Sequence, residues 1–195
     1  MCVRHLIFLL AGSVIIPVGA AAARPSRIEV VARIYNTARV ADTVRDAALH
    51  AATRALAGGA IQIAWRDCDR SEACSVAPAS SERVIRLVRS VDAFEQTAAF
   101  VLGEASIDRR AGVGVLATIY VNRVESMADQ SQTDAAMLLG RTIAHELGHL
   151  LLATNTHSAS GLMRAQWTPG DIRRNQLADW VLTKGDAAAI RQRLR

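Results

Sequence analysis

Three of the chain's five histidines, His145, His149 and His157, lie close together in the sequence. The first two are four residues apart, so on a helix their imidazoles share one face, one turn apart. Two imidazoles placed in this way can bind one metal ion, and Glu146 then lies beside the ion without having to bind it. The spacing H-E-x-x-H therefore predicts a single catalytic zinc ion, with Glu146 as the general base that accepts a proton from an attacking water.

A catalytic zinc ion needs a third protein ligand, which must come from outside this helix. His157, eight residues after the second histidine of the motif, is the candidate by ligand type and proximity. Asp171 and Asp179 are the alternatives, and either would give a site of two histidines and one carboxylate. The sequence thus predicts His145, His149 and His157 as the metal ligands.

The motif lies in an apolar segment that predicts a helix from Thr133 or Asp134 to about Ala153. A helix that is apolar nearly all round is buried, and the imidazoles and carboxylate on it then need partners. The chain must turn back after the helix for His157 to reach the ion. Asn155 tolerates the left-handed conformation that we expect at this turn.

The motif and its surroundings resemble the metzincin-type zinc peptidases. The resemblance rests on the H-E-x-x-H residues, on His157 followed by Ser158, and on Met163 in the segment Ser160-Gly-Leu-Met163. In that clan a later methionine forms a tight turn beneath the metal, so the resemblance implies that Met163 lies under the site without binding zinc. It also implies a peptide or protein substrate that runs antiparallel to an edge strand.

Three positions depart from the clan's pattern. The clan's glycine would fall at Leu152, and its third histidine, here displaced to His157, would fall at Asn155. No tyrosine follows Met163 to stabilise an oxyanion. The resemblance is specific over residues 142–163 and architectural elsewhere.

The order of predicted elements indicates an α+β domain whose N-terminal part is α/β-like. A strand at 28–35, a helix at 42–57 and a strand at 61–65 suggest a right-handed βαβ unit with parallel strands. Segments 100–107 and 113–121 predict an antiparallel hairpin. The other predictions are a strand at 83–90, a helical linker at 124–129, a helix at 170–183 broken by Gly185, and a last helix at 186–194. The resemblance implies the same architecture: a mixed twisted sheet, a backing helix, a buried active-site helix and a small irregular and helical C-terminal part.

Residues 1–23 predict a signal peptide. Arg4 and His5 form a short basic start, Leu6 to Val18 is an apolar run, and Ala20 to Ala23 offers a small-residue cleavage site. The apolar run is short for a transmembrane helix, although an uncleaved N-terminal anchor is the alternative. We therefore expect residues 24–195 to form a single exported domain, secreted or periplasmic, with no stable membrane insertion after cleavage.

Export changes the interpretation of the cysteines. Cys68 and Cys74 bracket a polar loop sequence, and in an oxidising compartment two such cysteines form a disulfide. The alternative is a second metal site, but no further cysteine or histidine lies nearby in the sequence.

The charge pattern does not favour a nucleic-acid partner. The 195-residue chain carries a formal net charge of +5, but its basic residues are scattered and aromatic residues make up only 4% of it. A nucleic-acid interface would need a basic patch with aromatic stacking platforms.

Three functions are compatible with these patterns. The first is an exported zinc-dependent endopeptidase. The second is a catalytically inactive, zinc-stabilised binding module of the same fold, and the third is a zinc-dependent hydrolase of non-peptide amides. Arg164 and Trp167 are candidates to line the site in each case.

Overall fold

The computed structural model describes residues 28–58, 61–90 and 101–194. The predicted signal peptide at 1–23 and the first residue of the predicted hairpin lie outside the described residues. Among the helices of the described part, none is both long enough and apolar enough to cross a membrane.

A five-stranded mixed sheet forms the framework of the domain, with strand order β2-β1-β3-β5-β4. Its strands are β1 (Ile28–Asn36), β2 (Ile61–Asp67), β3 (Arg83–Val88), β4 (Gly103–Asp108) and β5 (Val113–Tyr120). The pairs β1–β2, β1–β3 and β3–β5 are parallel, and β4 is antiparallel to β5. Strand β4 is therefore an edge strand that leaves one side of its backbone unpaired within this sheet.

Five α-helices and two short 3₁₀ turns complete the described fold. The helices are α1 (Asp42–Ala57), α2 (Val121–Ser131), α3 (Ala135–Leu152), α4 (Pro169–Arg174) and α5 (Lys184–Arg193). The 3₁₀ turns are Glu72–Ser75 and Leu177–Trp180. The α+β prediction, the parallel βαβ unit and the antiparallel hairpin are all confirmed.

Helix α3 lies at the centre of the core, as its sequence predicts. Every residue from Leu138 to Leu151 is buried, and the helix packs against α1, β5, α2 and β4. Asp134 begins the helix by accepting a hydrogen bond from the backbone N–H of Met137 (2.7 Å). The packing is close enough that a Cβ on Gly140 would overlap the carbonyl oxygen of Ala48 in α1.

The predicted helix at 170–183 is wrong, because it is two elements. Helix α4 ends at Asn175, which adopts a left-handed conformation (φ +50°), and a 3₁₀ turn follows. Gly185 does not break a helix but lies in the first turn of α5. The missed signal was the spacing T-x-x-D: Thr168 with Asp171, and Thr183 with Asp186, form capping boxes that begin α4 and α5.

Helix α1 has the predicted bounds, 42–57. Asp42 does not cap it but is the first helical residue after Ala41, and its carboxylate pairs with Arg45 and Arg70. The linker helix is longer than predicted, because α2 begins directly where β5 ends.

The predicted disulfide between Cys68 and Cys74 is confirmed. The two residues are bonded with a Cα–Cα distance of 5.3 Å, in the connection between β2 and β3. This connection is also tied to the sheet by the ion pair of Glu82 with Arg33 (2.6 Å).

The close approach of α1 and α3 can be tested through the stability of the domain. Gly140→Ala should lower the free energy of unfolding by about 2–3 kcal/mol, because a methyl group overlaps rigid backbone there. The matched control is Gly58→Ala, at the right-handed end of α1, where a Cβ meets no atom within 4 Å and the change should be less than about 1 kcal/mol. Chemical denaturation measures both. Equal stability of Gly140→Ala and the parent would contradict backbone contact between the helices.

Candidate metal centre

The three predicted histidines converge on one point. Nε2 of His149 lies 3.1 Å from Nε2 of His145 and 3.3 Å from Nε2 of His157. Their ligand atoms all lie within 4.8 Å of one another, and among the described residues this is the only group of three or more metal-ligating side chains gathered so closely. The rings of His145 and His157 are nearly parallel, with centroids 5.4 Å apart.

Backbone carbonyls orient the two helical imidazoles. Nδ1–H of His145 donates to the carbonyl oxygen of Leu162 (2.7 Å), and Nδ1–H of His149 donates to that of Thr154 (2.8 Å). A carbonyl oxygen can only accept, so this partner assigns the proton to Nδ1 in both rings. The lone pair of each Nε2 then points into the cluster, as it does in histidines that bind a metal.

Burial keeps both helical imidazoles neutral. It lowers the pKa of His145 to about 4, against the opposing effect of its hydrogen bond to Leu162. It also lowers the pKa of His149 below its ordinary value. Neutral imidazole is the form that binds a metal ion, so neither ring has to lose a proton at neutral pH before it can act as a ligand.

The separations of Nε2 of His149 from the other two Nε2 atoms, 3.1 and 3.3 Å, fit a shared zinc ion. Two unprotonated Nε2 atoms 3.1 Å apart face each other with no proton between them, which is unfavourable unless a cation lies beside them. Tetrahedral zinc with Zn–N bonds of about 2.0–2.1 Å holds its nitrogens roughly 3.3 Å apart. Three imidazoles also leave a fourth position for water or substrate, which is the ligand count of a catalytic site.

The turn that brings His157 to the cluster differs from the one we expected. Ala153, not Asn155, takes the left-handed conformation, with φ +48°, and its N–H donates to the carbonyl oxygen of His149. The N–H of Thr154 donates to the same oxygen (3.3 Å). This end of α3 places the carbonyl of Thr154 on Nδ1 of His149, and the left-handed residue Ala153 immediately precedes Thr154.

Glu146 is buried beside the cluster, at 6% exposure. Gly103, the first residue of β4, lies against it, and a Cβ there would come within 2.8 Å of Cγ of Glu146. Burial, and then the charge of Glu104, raises the pKa of Glu146 to about 8. A carboxyl group in this environment is mostly protonated at neutral pH unless a nearby cation stabilises its charged form.

Met163 lies beneath the helix that carries the motif. It is fully buried, and a Cβ on Gly148 would overlap its sulfur. Met163 belongs to a tight turn that starts at Gly161 (φ +75°), where the N–H of Arg164 donates to the carbonyl oxygen of Gly161 (3.2 Å). The preceding residue of that turn, Leu162, supplies the carbonyl that orients His145.

A cleft of about 760 Å³ opens onto the cluster. One wall is the start of β4 with the residues before it, 101–105, and the other is the segment 164–169. Arg164 and Trp167, which the sequence suggested as lining residues, both line it. The ring of Trp167 stands edge-on to His145 at 5.2 Å and packs on Trp180 at 5.0 Å.

The alternative ligands lie outside the cluster. The carboxylate of Asp171 caps α4 and pairs with Arg174 and Arg164 (3.0 Å to the latter). Asp179 pairs with Arg164 at 4.0 Å. His50, in α1, is exposed.

Sequence reasoning missed two kinds of group at this site. The carbonyls of Leu162 and Thr154 carry no side-chain signal, so no pattern could have identified them. Gly103 could have been singled out, because a glycine at a strand position often marks the close approach of another group.

The left-handed conformation of Ala153 can also be tested through the stability of the domain. Ala153→Gly should raise the free energy of unfolding by about 0.5–1 kcal/mol, because relief of the Cβ clash outweighs the added freedom of the unfolded chain. The same replacement at Ala47, exposed in the ordinary helical backbone of α1, should lower it by about 0.5–1 kcal/mol. Thermal unfolding of the two variants should move in opposite directions. A lower melting temperature for Ala153→Gly would contradict the left-handed turn.

Comparison with known proteins bears on the fold. No family model matches the chain, and no curated protein matches it. Among solved structures, an archaemetzincin from Methanopyrus kandleri is similar with a TM-score of 0.50 and 14% identity, over 89% of this chain and 99% of that one. Metalloproteinase-II from Bacteroides fragilis is similar with a TM-score of 0.53 and 14% identity, over 86% of this chain and 53% of that one. The domain thus has a fold similar to those of these two proteins, and spans about half of the second.

Proposed function

We propose that this chain is an exported zinc-dependent metallopeptidase, with His145, His149 and His157 as the zinc ligands and Glu146 as the general base. The observation that carries the proposal is the convergence of three Nε2 atoms beside a buried carboxylate, in the lining of a cleft. Similarity of fold to an archaemetzincin and to a metalloproteinase supports the same class of activity.

The chemistry divides between the ion and the chain's own groups. A zinc ion held by the three imidazoles would act as a Lewis acid on the substrate carbonyl and would acidify the attacking water. Glu146 accepts the proton of that water and passes it to the leaving amine. Glu146 lines the same cleft as the three imidazoles.

A peptide fits the cleft as an added strand. Strand β4 pairs only with β5 in the described sheet, and residues 101–105 form one wall of the cleft. An extended peptide can hydrogen-bond to the free side of an edge strand, which gives affinity through the main chain. The scissile bond would then lie between β4 and the wall that carries Trp167.

The position of Met163 supports a more specific assignment, to a metzincin-like class with a displaced third histidine. Its sulfur packs on Gly148, between the two helical histidines in sequence, and the turn that contains it also orients His145. Met163 would then support the metal centre from below without binding the ion.

Export rests on the sequence of residues 1–23, with residues 24–195 as the single mature domain. The Cys68–Cys74 disulfide is consistent with an oxidising compartment. Substrates would then be peptides or proteins outside the cytoplasm.

Removal of the general base tests the catalytic assignment. Glu146→Ala should bind zinc as the parent does but lose at least about 10²-fold in the rate of peptide hydrolysis, because the attacking water then lacks the carboxylate that accepts its proton. Glu125→Ala, which removes an exposed carboxylate paired with Arg89, is the matched control and should keep full activity. Cleavage of a peptide library and zinc content are measured for all three proteins. Undiminished hydrolysis by Glu146→Ala would overturn the assignment. A parent that binds zinc but cleaves no peptide would favour the binding module or the hydrolase of non-peptide amides.

Zinc content tests the third ligand. His157→Ala should lose most of the one equivalent of zinc that the parent binds, because two histidines alone make an incomplete site. His50→Ala is the matched control, since this histidine is exposed on α1 and should not affect zinc. Zinc retained in His157→Ala but lost in Asp171→Asn or Asp179→Asn would move the third ligand to that aspartate.

A further inference from the structure

His157 is held differently from the two helical histidines. It is exposed, and it lies in an irregular segment rather than on a helix. Among the described residues, no carbonyl accepts from its Nδ1, whereas both other rings are oriented through that atom. Apart from its contacts with the other two histidines, His157 is therefore positioned through its neighbours in the chain.

The neighbour on the C-terminal side is Ser158, which donates two hydrogen bonds. Its backbone N–H donates to the carbonyl oxygen of Met163 (2.8 Å), and its hydroxyl donates to Oδ1 of Asp186 (2.7 Å). The first bond ties the segment to the turn beneath the metal centre. The second ties it to a different element, the C-terminal helix α5.

Asp186 is itself rigidly placed. Its Oδ2 accepts from the hydroxyl (2.6 Å) and the N–H (3.3 Å) of Thr183, in the capping box that begins α5. Ala187 and Ile190 of the same helix are buried in the core. A bond from a hydroxyl to a carboxylate with both oxygens engaged is stronger than one between neutral groups.

We propose that the Ser158–Asp186 hydrogen bond positions His157 as the third zinc ligand, so that α5 takes part in metal binding although it supplies no ligand. This inference rests on the proposed function. The physical reason is preorganisation: a ligand on a free segment must lose conformational freedom when it binds the ion, and a segment already fixed loses less. Loss of a group that orients a metal ligand without binding the ion typically weakens metal affinity by about 10–100-fold.

The test is the zinc dissociation constant, measured by competition with a chromophoric chelator on otherwise intact protein. Ser158→Ala should weaken zinc binding by about 10-fold, because it removes the hydroxyl and leaves the capping box of α5 complete. Ser158→Thr keeps the hydroxyl and should restore most of the affinity. The matched control is Ser160→Ala, an exposed serine in the same segment, which should bind zinc as the parent does.

A double-mutant cycle separates this bond from a general loss of stability. Asp186→Ala, which removes the acceptor, should weaken zinc binding to at least the extent of Ser158→Ala. The double variant should bind no more weakly than the weaker of the two single variants, because both changes remove one interaction. Losses that multiply would show two independent effects and would overturn the inference. Thermal unfolding of the metal-free variants checks that each is folded at the assay temperature.

The outcomes distinguish this inference from the proposed function. A zinc affinity of Ser158→Ala within twofold of the parent, together with a large loss in His157→Ala, would overturn the positioning role and leave the metal centre intact. A parent that binds no zinc would overturn the proposed function, and this inference with it.

Discussion

Helix α3 carries two imidazoles and a carboxylate into the core, and burial of such groups costs free energy unless each has a partner. The Nδ1 atoms of His145 and His149 have partners in backbone carbonyls, but their Nε2 lone pairs face each other at 3.1 Å. A cation beside these lone pairs removes that repulsion, and a third imidazole completes its coordination. The proposed metal centre therefore accounts for the burial of this helix, because an ion would offset the cost of the polar groups that the helix carries into the core.

The rest of the domain keeps that helix and its partners in place. Backbone contact at Gly140 sets α3 against α1, and the packing of Met163 on Gly148 brings the turn at 161–164 close enough for Leu162 to orient His145. At the other end the left-handed Ala153 stops α3, so that Thr154 can orient His149 and the chain can return to the cluster. The edge strand β4 then closes the other side through Gly103.

The sequence predicted the parts of this arrangement that side-chain chemistry determines. The spacing of His145 and His149 marks a helical face, and the three predicted histidines do lie together. The alternative ligands Asp171 and Asp179 lie outside this cluster and pair with Arg164. The backbone contacts could not be predicted, since the carbonyls that orient the imidazoles of His145 and His149 carry no residue preference. Asn155 was chosen for the left-handed turn from propensity, but tertiary contacts put the turn at Ala153. The prediction of one helix at 170–183 was wrong because it relied on apolar periodicity. The two capping boxes are a more local and more specific signal of where the helices begin.

X-ray absorption at the zinc edge of the loaded mature protein, residues 24–195, tests the central claim most directly. The account predicts a four-coordinate ion with three imidazole nitrogens at about 2.0–2.1 Å and one further light-atom ligand, with one imidazole fewer in His157→Ala. A first shell with two imidazoles and a protein carboxylate would contradict His157 as the third ligand. A shell of oxygen ligands alone would contradict the metal centre itself.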